Sequence, residues 1–202
     1  MRLKKTGIVG PVVDFITMMW ITLLLIFFAS CDNKRIEATK TLDFGHFTMD
    51  VPASWEPIKD RGIDSAVGRI VIGDGDTLYF DLGWYSNSLK EVVEFKIENG
   101  DVYLISEEKS TERSVYYESV GKADTVDINR FIKNKVSWTE VDKRRTKLIQ
   151  PKTPGQGTTG IYIDSLWTAG SGIDKFQLHG KDLKPGNEER VLTAVKTIRF
   201  IK

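Results

Sequence analysis

The chain has 202 residues, room for one ordinary domain plus a targeting segment, and its 41% hydrophobic and 28% charged residues are those of a globular protein, not of a disordered or fibrous one. Its formal net charge of +1 divides unevenly: residues 1–30 hold three of the 29 basic and one of the 28 acidic side chains, leaving 26 and 27 in the other 172 residues. A domain so close to neutral has no built-in attraction for nucleic acid or acidic lipid, so nucleic-acid binding is set aside.

The N-terminus carries Arg2, Lys4 and Lys5, followed by a charge-free, mostly apolar run of 14 residues from Phe15 to Phe28. A helix needs about 20 apolar residues to cross the hydrocarbon core, whereas a signal-peptide apolar region needs only about 7–15. Extending the run backward would place Asp14 in the bilayer at about 2.5–3.5 kcal/mol and would put Pro11 inside the helix. The segment therefore reads as a signal peptide. Phe28-Ala29-Ser30-Cys31 then resembles the lipobox of bacterial lipoproteins, with Phe28 where that family usually carries Leu or another aliphatic residue. The resemblance implies that the Cys31 thiol receives a diacylglyceryl group, that the peptide is cut just before it, and that the new amino group is acylated. Cys31 is the only cysteine, so it has no intramolecular disulfide partner. Several acyl chains on one residue make a stable anchor, unlike a single chain. Asp32 to Thr41 is polar apart from Ile36 and Ala38 and reads as a tether reaching at most ~35 Å. The expected organisation is a signal peptide over 1–30, a lipidated cysteine and tether over 31–41, and one domain over 42–202.

Within that domain the patterning favours strands. In "HFTMDV", Phe47, Met49 and Val51 alternate with His46, Thr48 and Asp50. In "TLYFDLGWY", Leu78, Phe80, Leu82 and Trp84 alternate with Thr77, Tyr79, Asp81 and Gly83. Gly73-Asp74-Gly75-Asp76 between two such runs predicts an antiparallel hairpin. Residues 88–99 carry two signals. Ser88 and Glu91 form a capping box for a helix ending near Gly100. Val93, Phe95 and Ile97 alternate ahead of Asn99-Gly100, a hairpin turn. The hairpin is the favoured reading and the helix the alternative. Asp127 to Lys135 predicts a short helix capped by Asp127. A last helix is predicted with Asn187 as cap, Glu188 and Glu189 at its positive end, and Val191, Leu192, Val195 and Ile198 as a core-facing stripe. The expected class is α+β: mainly antiparallel hairpins with a few flanking helices, including a C-terminal one. "GHFTMDVPASW", the central hairpins and "NEERVLTAVKTIRF" resemble PsbP-like domains, in which a Phe-x-x-x-x-Pro-x-x-Trp phrase (here Phe47, Pro52 and Trp55) opens an antiparallel sheet flanked by helices. The resemblance implies a fold and transfers no catalytic residue.

Several motifs fail on context. Gly155 to Gly160 matches G-x-G-x-x-G, but "IYIDSLW" after it alternates as a strand where a dinucleotide site needs a helix, and Ile161 stands where a phosphate loop needs Lys. His46 and His179 fall on the polar faces of predicted strands, and no spacing joins them to carboxylates such as Asp50 as metal ligands. Ser171 lies in the turn Gly170-Ser171-Gly172 without a nucleophile context. Asp74 to Asp76 lacks the rest of a calcium loop. Lys143, Arg144, Arg145 and Lys147 read as a hairpin turn and a charged edge strand. Trp55, Trp84, Trp138 and Trp167 read as core, and as a binding surface where exposed. No catalytic residue, cofactor or metal is expected. The sequence reading is a lipid-anchored envelope protein, attached to the membrane through Cys31 on its periplasmic or outer-surface side. Its domain binds or scaffolds an unknown envelope protein or ligand. The alternative is a tethered hydrolase with a site scattered along the chain.

Overall fold

The computed structural model describes residues 37–108 and 114–201. The segment expected as a signal peptide, Cys31 and the first part of the expected tether lie outside these residues. The described chain is built almost entirely from antiparallel strands, with one α-helix among the described residues.

The largest sheet has seven strands. In spatial order they are β3 (Glu56–Lys59), β4 (Ala66–Gly73), β5 (Asp76–Gly83), β12 (Gly172–Lys181), β11 (Thr158–Ala169), β10 (Arg144–Pro151) and β9 (Asn134–Val141). Strand alternation splits its side chains. Ile70, Ile72, Leu78, Phe80, Leu82, Ile161, Ile163, Phe176 and Leu178 are buried on the inner face. Gln177 and His179 of β12 take the outer face, with Tyr79 and Asp81 opposite them on β5. Two-residue turns join the neighbours: Asp74-Gly75 links β4 to β5 and Asp142-Lys143 links β9 to β10, all at positive φ.

The inner face is covered by a small sheet and the helix. The sheet comprises β1 (Thr39–Asp43), β2 (Phe47–Pro52) and β13 (Arg199–Phe200), with β2 in the middle. Phe47, Met49 and Val51 are each 1% exposed, as the alternation in "HFTMDV" requires. The Phe47 ring meets Phe44, Phe80 and Phe176 at centroid distances of 4.7, 5.1 and 5.0 Å. Each large side chain buried this fully stabilises the fold by about 1.5–3 kcal/mol. Helix α1 (Pro185–Ala194) continues into a 3-10 turn, Val195–Thr197, and contributes Val191, Val195 and Ile198 to the same core. Asn187 is not its cap. Pro185 begins the helix with its φ already fixed, and the Asn187 amide binds the β4–β5 turn through Asp76 Oδ2 (2.8 Å) and the Gly73 carbonyl.

The third sheet is an arm: β6 (Glu94–Glu98), β7 (Asp101–Glu108) and β8 (Ser114–Lys122). Asn99 (φ 52°) and Gly100 (φ 81°) turn β6 into β7, so the hairpin signal wins over the capping box. Little of the arm is buried: Val102 is 2% exposed, whereas Ile97, Tyr116 and Tyr117 are exposed.

Two boundaries and the balance of the fold class differ from the sequence reading. The domain begins at Ala38, because Thr39, Lys40 and Thr41 pair with β2. Polar residues on an exposed edge strand look like tether from composition alone. The helix expected over Asp127 to Lys135 is a single 3-10 turn, Ile128–Phe131, held by Asp127 accepting from the Asn129 N–H (2.9 Å). With one helix among the described residues, the fold is β-dominated and less α+β than expected.

Candidate functional site

At one end of the outer face of the large sheet lies a cleft of about 750 Å³, walled by the chain between β5 and β6, by residues 130–133 and by the β10–β11 loop, and bordered by the arm at Leu104. The chain that leaves β5 becomes its strap. Ser86 fastens the strap's start, its hydroxyl donating to the carbonyls of Asp81 (2.9 Å) and Lys175 (3.3 Å). Lys147 donates to the Ser88 carbonyl (2.9 Å). Asn87 then accepts from the Leu89 N–H (3.0 Å), and Leu89 sits at φ 52°, a left-handed conformation unusual for a side chain of its size.

Glu91 closes the far end. Its carboxylate accepts from the Lys133 N–H (2.7 Å), the Asn134 N–H (2.9 Å) and the Asn134 side-chain amide (2.8 Å). The capping-box acid thus caps a distant segment and starts no helix of its own. Asn134 passes the connection on, accepting from the Thr158 N–H (2.7 Å) at the start of β11. Gly157 lies beside it, where a Cβ would come within 2.5 Å of Asn134 Oδ1, so this close approach demands glycine. The G-x-G-x-x-G stretch is therefore a wall of the cleft leading into a strand. Its Gly157 N–H is taken by Asp182 (2.7 Å) and its Gly155 N–H by Glu188 (2.7 Å).

The lining is bipolar. Leu89, Val92, Val93, Leu104, Phe131 and Ile132 supply an apolar wall. Lys90, Arg130, Lys133, Lys152 and Lys181 supply positive charge against two carboxylates, Glu91 and Asp182, which already accept backbone N–H groups. Arg130 donates to the Val120 carbonyl and Lys152 to the Asn129 carbonyl. Lys90, Lys133 and Lys181 have no carboxylate within ion-pair distance among the described residues. Burial, together with the charge of Lys90, holds the Lys147 ammonium below the usual lysine range.

His179 also lines the cleft. It is half-buried where an exposed position was expected, because the strap crosses the outer face. Its Nδ1 is buried without a partner, and burial holds its pKa below the ordinary histidine value of 6.5. The neighbouring Asp81 Oδ1 and Gln177 Oε1 are likewise buried without partners. His46 lies elsewhere, exposed, in a shallower cavity of about 390 Å³ that also presents Asp64, Ser65 and Asp174. No hydrogen bond joins His46 to Ser65 or to either carboxylate; Asp174 accepts from the Trp167 indole (3.0 Å). Asp50 accepts from the Thr41 hydroxyl and stands apart from both histidines. Ser171 occupies the β11–β12 turn.

Of the tryptophans, Trp55 is core and Trp167 half-buried. Trp84 and Trp138 are exposed, correcting the core expectation for them. Trp84 falls just past the end of β5 and stacks on Tyr85 (5.6 Å), and Trp138 lies under the Arg145 guanidinium (4.0 Å). The basic run does form the β9–β10 turn and β10, but β9 is the edge strand. Cys31 lies outside the described residues. The cleft's unpaired lysines went unnoticed in the sequence because they come from three separate segments with no shared spacing. Comparison with protein-family models, with curated proteins and with solved structures yields no match for this chain.

Proposed function

We propose that this chain is a lipid-anchored protein of the bacterial cell envelope whose domain binds a ligand in the strap cleft without chemistry. The anchoring half rests on the basic N-terminus, the short apolar run and Phe28-Ala29-Ser30-Cys31. No helix among the described residues is long and apolar enough to cross a membrane. In this reading attachment runs through Cys31. The PsbP-like likeness belongs to the same proposal, with Phe47 and Trp55 of its phrase placed in the core.

One observation carries the binding half. The cleft is held open by dedicated side-chain bonds from Glu91, Asn134 and Lys147, and its size is that of small-ligand sites, about 300–1,000 Å³. The hydrolase reading has its own observation, the gathering of His46, Asp64, Ser65 and Asp174 around the shallower cavity. There the nucleophile and base lack the hydrogen bond that activation uses.

Two experiments test the proposal. Intact mass spectrometry of the membrane-extracted wild type should show an N-terminus at acylated Cys31; an unprocessed Met1 without lipid sinks the anchoring half. In a deletion strain, Val93→Trp, which pushes an indole out from the apolar wall into the cleft, should fail to complement while remaining folded and anchored. His46→Ala/Ser65→Ala should complement fully. The reverse pattern favours the hydrolase.

A further inference from the structure

We infer that the cleft takes a phosphate ester with an alkyl-sized apolar part, its phosphate among Lys90, Lys133 and Lys181 and its apolar part against Leu89, Val92 and Phe131. This rests on reading the cleft as a ligand site and names the ligand's chemistry.

The charge argument is one of pairing. Among the described residues of the arm, lysines are matched: Lys96 pairs with Glu98 (2.9 Å) and Lys122 with Asp101 (2.8 Å). In the cleft, Lys90, Lys133 and Lys181 line one concavity with no carboxylate partner among the described residues. The two carboxylates keep their charges, but Glu91 turns both oxygens and Asp182 its Oδ1 to N–H groups and neither pairs with a lysine, and the five cations of the lining outnumber them by three. Lys90 additionally crowds the partly buried ammonium of Lys147. Like charges gathered in a walled site raise each other's energy, and an anion relieves them. Three ammonium groups call for more than one negative charge. A phosphate monoester carries about −1.5 to −2 at neutral pH, where a carboxylate carries one.

The apolar argument is separate. Inorganic phosphate needs no wall of Leu89, Val92, Val93, Leu104, Phe131 and Ile132, and about 750 Å³ is far more room than it fills. Phe131 is not a free stacking platform for a nucleobase, since Phe95 meets it edge-on (5.5 Å) and the Arg130 guanidinium lies over its ring (4.6 Å). The wall suits a flexible alkyl part. Leu89, held at positive φ by the Asn87 turn, is the strained element that puts an aliphatic side chain on this wall.

The test uses the full chain in phosphatidylcholine nanodiscs, with empty nanodiscs subtracted, titrated calorimetrically with octyl phosphate, octanol and inorganic phosphate. Octyl phosphate should bind at least about tenfold tighter than either of the others. Raising NaCl from about 50 to about 500 mM should weaken it. Lys133→Gln/Lys181→Gln should lose at least about tenfold in affinity with the circular dichroism unchanged, while Lys96→Gln on the arm should change nothing. Equal affinity for octanol overturns the phosphate half, and equal affinity for inorganic phosphate overturns the alkyl half. No binding of octyl phosphate overturns the inference altogether. If Val93→Trp still abolishes function in that case, the cleft remains a site for another ligand class; if it complements, the binding reading itself has failed. Adding phosphatidic acid, a phospholipid that is itself a phosphate monoester, to the nanodiscs separates two sources. Competition with octyl phosphate identifies a bilayer lipid, and no competition identifies a free ester; either result upholds the ligand chemistry.

Discussion

The sandwich, meaning the seven-stranded sheet with the small sheet and helix that cover it, and the arm are both antiparallel and each uses a two-residue turn, Asp74-Gly75 in one and Asn99-Gly100 in the other, yet they are held by different physics. In the sandwich, inward residues of β2, β4, β5, β11 and β12 meet across a shared core, with Phe47, Ile70, Leu78 and Phe176 at 0–1% exposure. In the arm, the backbone ladder and the Asn99-Gly100 turn do most of the holding, with Val102 buried and Phe95 against Phe131. A ladder without a packed face is marginal on its own. The lesson is that the cleft is built off the sandwich, by the strap and the segments that Glu91 ties to it, and borders the arm at Leu104.

Breaking the sandwich should have the largest effect. Phe47→Ala removes the centre of the ring cluster and should cost about 3–5 kcal/mol in urea unfolding. Ile97→Ala, on an arm residue 67% exposed, should stay within about 0.5 kcal/mol. Equal losses would erase the distinction. Next comes the fastening of the strap. Glu91→Gln weakens the acceptor of two backbone N–H groups and should cost about 1–3 kcal/mol. The signature is local: amide exchange at Lys133 and Asn134 should quicken while β5 and β12 keep their protection.

A smaller effect sharpens the account of the arm. Gly100→Ala meets no neighbour within 4 Å, so its cost is purely that of a left-handed backbone, about 1 kcal/mol. Exchange should rise through β6 and β7 and not in the sandwich. The smallest effect concerns His179. Burial lowers its pKa in the fold, so below about 6.5 the unfolded chain takes up a proton that the folded chain refuses. Its contribution to stability is present above pH 6.5 and falls away as the pH drops through 6.5 toward the folded pKa. Thermal melts from about pH 7.5 to about pH 5 should show wild type losing more stability than His179→Gln. Parallel pH profiles would contradict the burial of His179 under the strap.

The sequence made the sandwich legible and left the cleft hidden, for a physical reason. Alternation in "HFTMDV" and "TLYFDLGWY" is a local signal, as are Asp74-Gly75 and Asn99-Gly100, and each lies where expected. Trp84 broke the alternation because the strand ends at Gly83. The cleft depends on long-range partners: Glu91 with Lys133 and Asn134, and Asn134 with Thr158. The only local trace was a capping box whose acid serves another segment. Near-neutral overall charge also concealed a local excess, since a total over the chain does not say which charges share a concavity. Residues 1–36 stand on sequence reasoning alone.

The most direct test of the central claim, that the strap cleft is a ligand site, is photo-cross-linking in native membranes. A diazirine amino acid would replace Val92, which is 69% exposed at the cleft, or Ile173, 47% exposed on the β11–β12 hairpin and outside the cleft lining. The account predicts a discrete adduct mass from position 92, absent from position 173 and lost when Val93→Trp is added. The same adducts at both positions, or none at position 92, would contradict it.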